Sequence, residues 1–140
     1  MRLLITTPTS VVADIADARS VRAEDPSGSF GILDGHADLL AVLSISILKW
    51  EGTDGVAHYC ALKRGVLSVS GGNAVEVATR EAVVDDDFDR LETAILTRFR
   101  QSQEDERTAR AESMKLQASA IRRIMEHLRP DRQPGAGGGA

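Results

Sequence analysis

Three histidines, one cysteine and a scatter of carboxylates are the residues of this 140-residue chain that could do acid–base, nucleophilic or metal chemistry. His36 is flanked by Asp34 and Asp38, a spacing that could orient a general base. A metal site asks for three or four Cys, His or carboxylate ligands, and only those two aspartates stand near His36. The expected role of His36 is therefore to brace its loop by hydrogen bonding. His58 and His127 stand alone in the sequence. Cys60 lies inside an apolar run and reads as a small buried residue. A single cysteine excludes an internal disulfide framework and a cysteine metal cluster. No Ser-His-Asp pairing follows from these spacings. Gly71-Gly72-Asn73 has no Lys-Ser/Thr after it and opens no helix, so it reads as a hairpin turn and not a phosphate loop. No catalytic residue, metal or cofactor is expected.

The elements that would position these residues are bounded by composition. The chain is long enough for one domain, or a small domain with an appendage. Apolar residues make up 42% and aromatics only 4%, so the core must be built of Val, Leu, Ile and Ala. A net charge of −4 argues against a general nucleic-acid binder. No stretch reaches the ~20 apolar residues of a membrane helix. The N-terminus is too short and soon too polar for a signal peptide. The expectation is a soluble cytoplasmic chain that meets a membrane only through a partner.

Residues 1–84 read as strands. "RLLITTP" and "SVVADI" are short β-branched runs. "DARSVRAE" alternates Ala18, Ser20 and Arg22 against Arg19, Val21 and Ala23, and Pro26-Ser27-Gly28 makes a turn. "AVLSISILKW" reads as one strand, Val42, Ser44, Ser46 and Leu48 on one face, closed by Glu51-Gly52-Thr53-Asp54-Gly55. "VAHYCAL", "GVLSVS" and "AVEVAT" follow, the last two joined by the Gly71-Gly72-Asn73 hairpin, with "REAVV" as a last strand. Many short strands at regular spacing predict an antiparallel β-sandwich or flattened barrel.

The period changes at Asp85. Phe88, Leu91, Ile95 and Phe99 recur three to four apart behind the acidic run Asp85-Asp86-Asp87, which suits a helix N-terminus. Arg98 and Arg100 suit its C-terminus. A second helix is expected to open near Ser102, with Asp105 as a capping-box residue. Ala111, Met114, Ala118, Ile121, Met125 and Leu128 form a heptad seam. The joint "RQSQEDERT" holds no Gly or Pro, so a continuous helix of about 60 Å from Asp86 to Leu128 is also open. The expected organisation is α+β: a sandwich over 1–84, a two-helix hairpin over 85–129 and a disordered tail over 130–140. The back half is charge-rich yet nearly balanced, which does not fit a basic nucleic-acid arm.

Gly28-Ser29-Phe30-Gly31-Ile32-Leu33-Asp34-Gly35-His36-Ala37-Asp38-Leu39-Leu40 reads as one glycine-dense loop. It resembles the G-x-x-G-(I/V)-x-P-x-H-x-P-L-(L) loop of the epsilon subunit of F-type ATP synthases. "YCALKRGVLSVSGGNAVEVAT" and "REAVVDDDFD" are similar to that family's paired strands and its entry into the first C-terminal helix. The resemblance runs to about Pro130. It implies a non-catalytic central-stalk subunit at the cytoplasmic face of the bacterial inner membrane, coupling the gamma subunit to the c-subunit ring in ATP synthesis and ion transport. Gly28, Ser29, Phe30, Gly31, Asp34, His36 and Asp38 are the implied ring-contact residues. In many bacterial members the C-terminal helices extend along gamma and block hydrolysis by meeting the alpha/beta catalytic head. Arg122, Arg123 and Arg129 are the implied inhibitory cations.

The chain departs from the family pattern in three places. Asp34 and Asp38 stand at usual proline positions, losing a fixed φ and adding charge. Phe88-Asp89-Arg90-Leu91-Glu92-Thr93 matches the (I/L)-D-x-x-R-A nucleotide motif with Glu92 in place of arginine, and a carboxylate there repels phosphate, so no ATP sensing of that type is expected. The helix joint is compressed. These departures point to a divergent subfamily, the alternate, sodium-linked bacterial type. The competing reading is a non-catalytic sandwich and coiled-coil module that dimerises through its heptad seam.

Overall fold

Short alternating runs, each closed by turn residues, fold as ten strands in the computed structural model, which describes residues 1–128. They are β1 (Arg2–Thr7), β2 (Ser10–Ile15), β3 (Ala18–Asp25), β4 (Gly28–Leu33), β5 (Leu39–Leu43), β6 (Ser46–Gly52), β7 (Ala57–Leu62), β8 (Gly65–Ser70), β9 (Ala74–Ala78) and β10 (Ala82–Asp85). One sheet has the order β2-β1-β9-β8-β5 and the other β10-β7-β6-β3-β4. Strand β1 lies parallel to β9, Leu3 opposite Val75 and Ile5 opposite Val77. The expected all-antiparallel sandwich is corrected at this one pair, because β9 reaches β1 by a crossover and not by a hairpin.

The core is aliphatic, as the composition requires. Leu3, Ile5, Leu67, Val69, Val75 and Val77 of the first sheet face Val21, Ile32, Leu48, Trp50, Cys60 and Leu62 of the second, all buried. Three strand expectations change. "AVLSISILKW" is two strands, because the chain leaves the first sheet after Leu43 and enters the second at Ser46. That crossing resets the phase, so Leu43, Ser46, Leu48 and Trp50 are the inward residues, and the Ser46 hydroxyl donates to the Ser44 carbonyl at 2.9 Å. In β3 a register shift between Ala18 and Ser20 turns Ala18 inward alongside Val21 and Ala23. Gly28–Leu33 is not loop but strand β4, an edge strand paired with β3 from Asp25↔Gly28 to Ser20↔Leu33. Only the turn after it is loop.

After β10 come α1 (Phe88–Arg90), a π-helical turn (Leu91–Leu96) and α2 (Thr97–Leu128), with helical backbone at both junctions. Asp87 caps the start: its carboxylate accepts the Arg90 amide at 3.2 Å. The root of this helix packs on the outer face of the second sheet, where Leu91 and Phe99 meet buried Ala61 and half-buried Ile45, Ile47, Tyr59 and Val83. Leu96 of the π turn is also buried, and Phe88, 41% exposed, meets the Tyr59 ring edge-on at 5.4 Å between centroids. The expected stripe holds at Leu91, Ile95 and Phe99, which pack in one cluster with Tyr59, and the π turn inside it does not break that packing.

The chain divides into two compact units, the first from Met1 to Gln101. The described part of the second is helical throughout. The two-helix hairpin is therefore corrected to one helix. Ser102 and Asp105 form no second N-terminus, because Gln, Glu and Arg are good helix formers and nothing in 100–108 breaks the ladder. Glu104 and Arg107 pair across one turn at 3.5 Å. Met114, Ile121, Met125 and Leu128 of the heptad seam are exposed, so no second helix covers them among the described residues. The tail expected over 130–140 lies outside those residues.

Candidate functional site

Two edge strands, β4 of one sheet and β5 of the other, flank an open side of the sandwich. Between them lies a crevice of ≈ 280 Å³ lined by Gly28 to Gly31, His36, Leu39 and Ala41, with Asp25 and Ser27 at one end. Five of the seven loop residues singled out from sequence thus share one cavity, while Asp34 and Asp38 do not line it. The side chain of Ser29 is exposed, and Phe30 is half-buried against the core. Asp25, Ser27, Leu39 and Ala41 were not singled out. The Asp-Pro-Ser-Gly run was a signal for the first two, since an aspartate two residues ahead of a serine favours a side-chain-closed turn.

Side chains hold both ends of the crevice. Asp25 Oδ1 accepts the Ser27 amide at 2.9 Å and its hydroxyl at 2.6 Å. The Ser27 hydroxyl, then the amide, hold the Asp25 carboxyl below the usual carboxylate range. At the other end the His36 amide donates to Leu33 O at 3.1 Å. Its ring Nδ1 lies 2.6 Å from Ala37 O, so Nδ1 carries the proton. His36 braces its own turn, as expected, and forms no dyad with either aspartate. Asp38 accepts the Gly71 amide at 3.1 Å, and the Gly35 amide donates to Gly72 O at 2.7 Å. The turn that lost its prolines is thereby pinned to the β8–β9 hairpin.

The crevice lining includes none of the other described candidates. Arg122 and Arg123 are exposed on α2, and Arg129 lies outside the described residues. Glu92 is exposed in the π turn. Cys60 is fully buried, and burial pushes its thiol up to about 12. His58 is not isolated in the fold: it stacks on Trp50 at 5.5 Å between centroids, and its Nδ1 is 2.9 Å from Asp86 Oδ1.

The titratable groups around the crevice close turns of a β-sandwich that carries a C-terminal helix. The family model of the "ATP synthase, Delta/Epsilon chain, beta-sandwich domain" matches residues 1–85. The chain is 42% identical over 132 residues to ATP synthase epsilon chain 2 of Paraburkholderia xenovorans, covering 94% of this chain and 95% of that one. It is 43% identical over 136 residues to ATP synthase epsilon chain 2 of Cereibacter sphaeroides, covering 97% and 92%. A chain of the Euglena gracilis mitochondrial ATP synthase superposes with a TM-score of 0.54 at 24% identity, over 66% of this chain and 59% of that one. A chain of the Tetrahymena thermophila mitochondrial ATP synthase central stalk and c-ring gives 0.52 at 20% identity, over 59% and 64%; both share the fold. The chain belongs to the family of ATP synthase epsilon chains, non-catalytic subunits of that complex. Both bacterial relatives are named epsilon chain 2, in keeping with the divergence seen in the loop.

Proposed function

We propose that this chain is the epsilon subunit of a bacterial F-type ATP synthase central stalk, joining the gamma subunit to the c-subunit ring. The observation that carries the reading is its 42–43% identity to two epsilon chains across both the sandwich and the helix. The ring-facing surface in this reading is the β4 edge with Gly28, Ser29, Phe30 and Gly31, together with the turn holding Asp34, His36 and Asp38. Its place is the cytoplasmic face of the inner membrane, held there by the rotor. No described helix is long and apolar enough to cross a membrane.

The helix supplies the regulatory half of the proposal. Its exposed face, with Met114, Ile121, Met125 and Leu128 beside Arg122 and Arg123, suits packing along gamma with the arginines, Arg129 included, on acidic segments of the catalytic head. The test is titration of the chain into a recombinant head of alpha, beta and gamma lacking epsilon, with binding and ATP hydrolysis followed together. Saturable binding with slowed hydrolysis is expected, and truncation after Gln101 should relieve the inhibition while keeping the binding. Binding without inhibition removes the regulatory claim. Failure to bind a cognate head, with a dimer in solution, transfers the reading to the self-associating module.

A further inference from the structure

A second cavity, of ≈ 400 Å³, opens where the β2–β3 turn carries the chain from the first sheet to the second. Its volume is that of a small-ligand site, and it shares no lining residue with the crevice. Asp14, Asp17 and Asp54 bring carboxylates to it from β2, the β2–β3 turn and the β6–β7 turn. Trp50 and His58 supply aromatic walls. No lysine or arginine lines it among the described residues.

The three carboxylates differ in what they already hold. Asp14 pairs with Arg2 at 3.0 Å, and Asp54 accepts the Val56 amide at 3.0 Å. Asp17 makes no hydrogen bond or ion pair among the described residues. A separate signal comes from the wall. Trp50 is 4% exposed, yet its indole N–H has no acceptor among the described residues. No sealed side-chain nitrogen or oxygen among them lacks a partner, so this N–H is not sealed and opens onto the cavity that its ring lines. A tryptophan N–H held this deep ordinarily finds an acceptor. The wall is preorganised, since His58 stacks on the Trp50 ring at 5.5 Å and is itself tethered to Asp86 at 2.9 Å.

We infer that this cavity binds an organic cation of the arginine type, its guanidinium on Asp17 and a carbonyl oxygen of the same molecule on the Trp50 N–H. A guanidinium suits Asp17 because its planar fork gives a carboxylate two parallel hydrogen bonds. The indole N–H supplies the discrimination, because a cation without an acceptor leaves that buried donor unpaired. A bare metal ion would ignore the indole, and no described group of three or more His, Cys, Asp or Glu could hold one. The inference is independent of the stalk reading, which places ring contact on the β4 edge and not on these turns.

The test is an NMR titration of the full ¹⁵N-labelled chain with N-acetyl-L-argininamide. Trp50 is the only tryptophan of the chain, so its indole N–H gives one assignable resonance. That resonance should move saturably, together with the backbone amides of Asp17, Thr53 and Asp54. Asp17→Asn, exposed in its turn, should keep the fold and bind about ten-fold more weakly. Trp50→Phe keeps a ring in place, and where circular dichroism shows it folded it should bind about three-fold more weakly. N-acetyl-L-leucinamide, which lacks the cation, and putrescine, which lacks the carbonyl, should each bind more weakly than the argininamide. Unchanged affinity in folded Asp17→Asn overturns the inference. So does an indole resonance that stays still, no saturable response, or shifts that map elsewhere. Putrescine or Mg²⁺ binding as well as the argininamide overturns it in favour of simple counter-ion attraction.

Discussion

The Asp38 carboxylate accepts the amide hydrogen of Gly71, 33 residues away, at 3.1 Å. That bond ties the β4–β5 turn, which closes one end of the crevice, to the β8–β9 hairpin of the other strand pair. The Gly35 amide reinforces it by donating to Gly72 O at 2.7 Å. The two backbones touch so closely that a Cβ on Gly72 would lie 3.2 Å from Gly35 Cα, and Gly72 has φ +74. Asp38→Ala should therefore cost less than about 1 kcal/mol, since the freed amide is exposed and water can replace the carboxylate. Gly72→Ala should cost about 1–2 kcal/mol, combining left-handed strain with the contact. Urea unfolding of both variants checks the order, and a larger loss for Asp38→Ala would show that the carboxylate and not the close backbone approach holds the turn.

Phe99 and Leu91 anchor the helix root on a sheet face that would otherwise be apolar and bare. Phe99 is 1% exposed, and the Arg98 guanidinium stands 5.5 Å from its ring centroid. Phe99→Ala should cost about 3–5 kcal/mol, a large part of the stability of a domain this size. Met114→Ala, on the exposed part of the helix, should stay within about 0.5 kcal/mol. The same geometry predicts that a fragment ending at Gln101 melts near the full chain, whereas one ending at Val84 exposes Ile47, Tyr59 and Ala61 and aggregates or melts far lower. Circular dichroism melts of the two fragments decide this, and equal melting would place the boundary of the cooperative unit at Val84.

Local chemistry was readable wherever one residue type enforced it. Gly71-Gly72-Asn73 marked its hairpin, Asp87 fell at the helix start, and His36 braced its turn, because φ > 0, an amide acceptor and a short polar loop are each set by neighbours in sequence. What depended on the other sheet was not readable. Nothing in Leu43-Ser44-Ile45-Ser46 announces that the chain changes layers there, and the alternation continues smoothly across the break. Glycines led Gly28–Leu33 to be read as loop, although its pairing with β3 makes it strand. The hairpin expected around Ser102 rested on a capping pattern, and a cap cannot end a helix that no residue breaks. His58 looked isolated because Trp50 and Asp86 reach it only through the fold.

Cys60 offers a test of core integrity. Its side chain is fully buried, its Sγ lies 3.7 Å from Ala61 O, and burial pushes the thiol up to about 12. The thiolate, the reactive form, is therefore suppressed in the folded chain. Iodoacetamide at pH 8 should leave the native protein unlabelled and label it fully in urea. The pH dependence follows in sign. The unfolded thiol ionises near ~8.5, so the stability this group contributes is whole below that value and is lost as pH rises toward about 12. Rapid native labelling at a rate insensitive to urea would show that the β6–β7 core opens locally.

At the opposite extreme of pH the crevice rim should respond through Asp25. Ser27 gives its carboxylate a hydroxyl at 2.6 Å and an amide at 2.9 Å, and these donors hold the Asp25 carboxyl below its ordinary range. A carboxylate with a lowered folded pKa adds stability that is present above the unfolded value of ~3.9 and disappears as pH falls through the folded value. The β3–β4 turn should thus stay closed through the first stage of acidification and loosen only below it. Ser27→Ala removes the hydroxyl and keeps the amide, so Asp25 should titrate part of the way back toward its ordinary value, and the turn should open at higher pH. Carboxyl-carbon NMR of the full chain reads both titrations directly. Identical midpoints for Asp25 in the two proteins would mean that the hydroxyl does not hold the carboxylate, and that the shape of the crevice rim rests on the backbone of Pro26 and Gly28 instead.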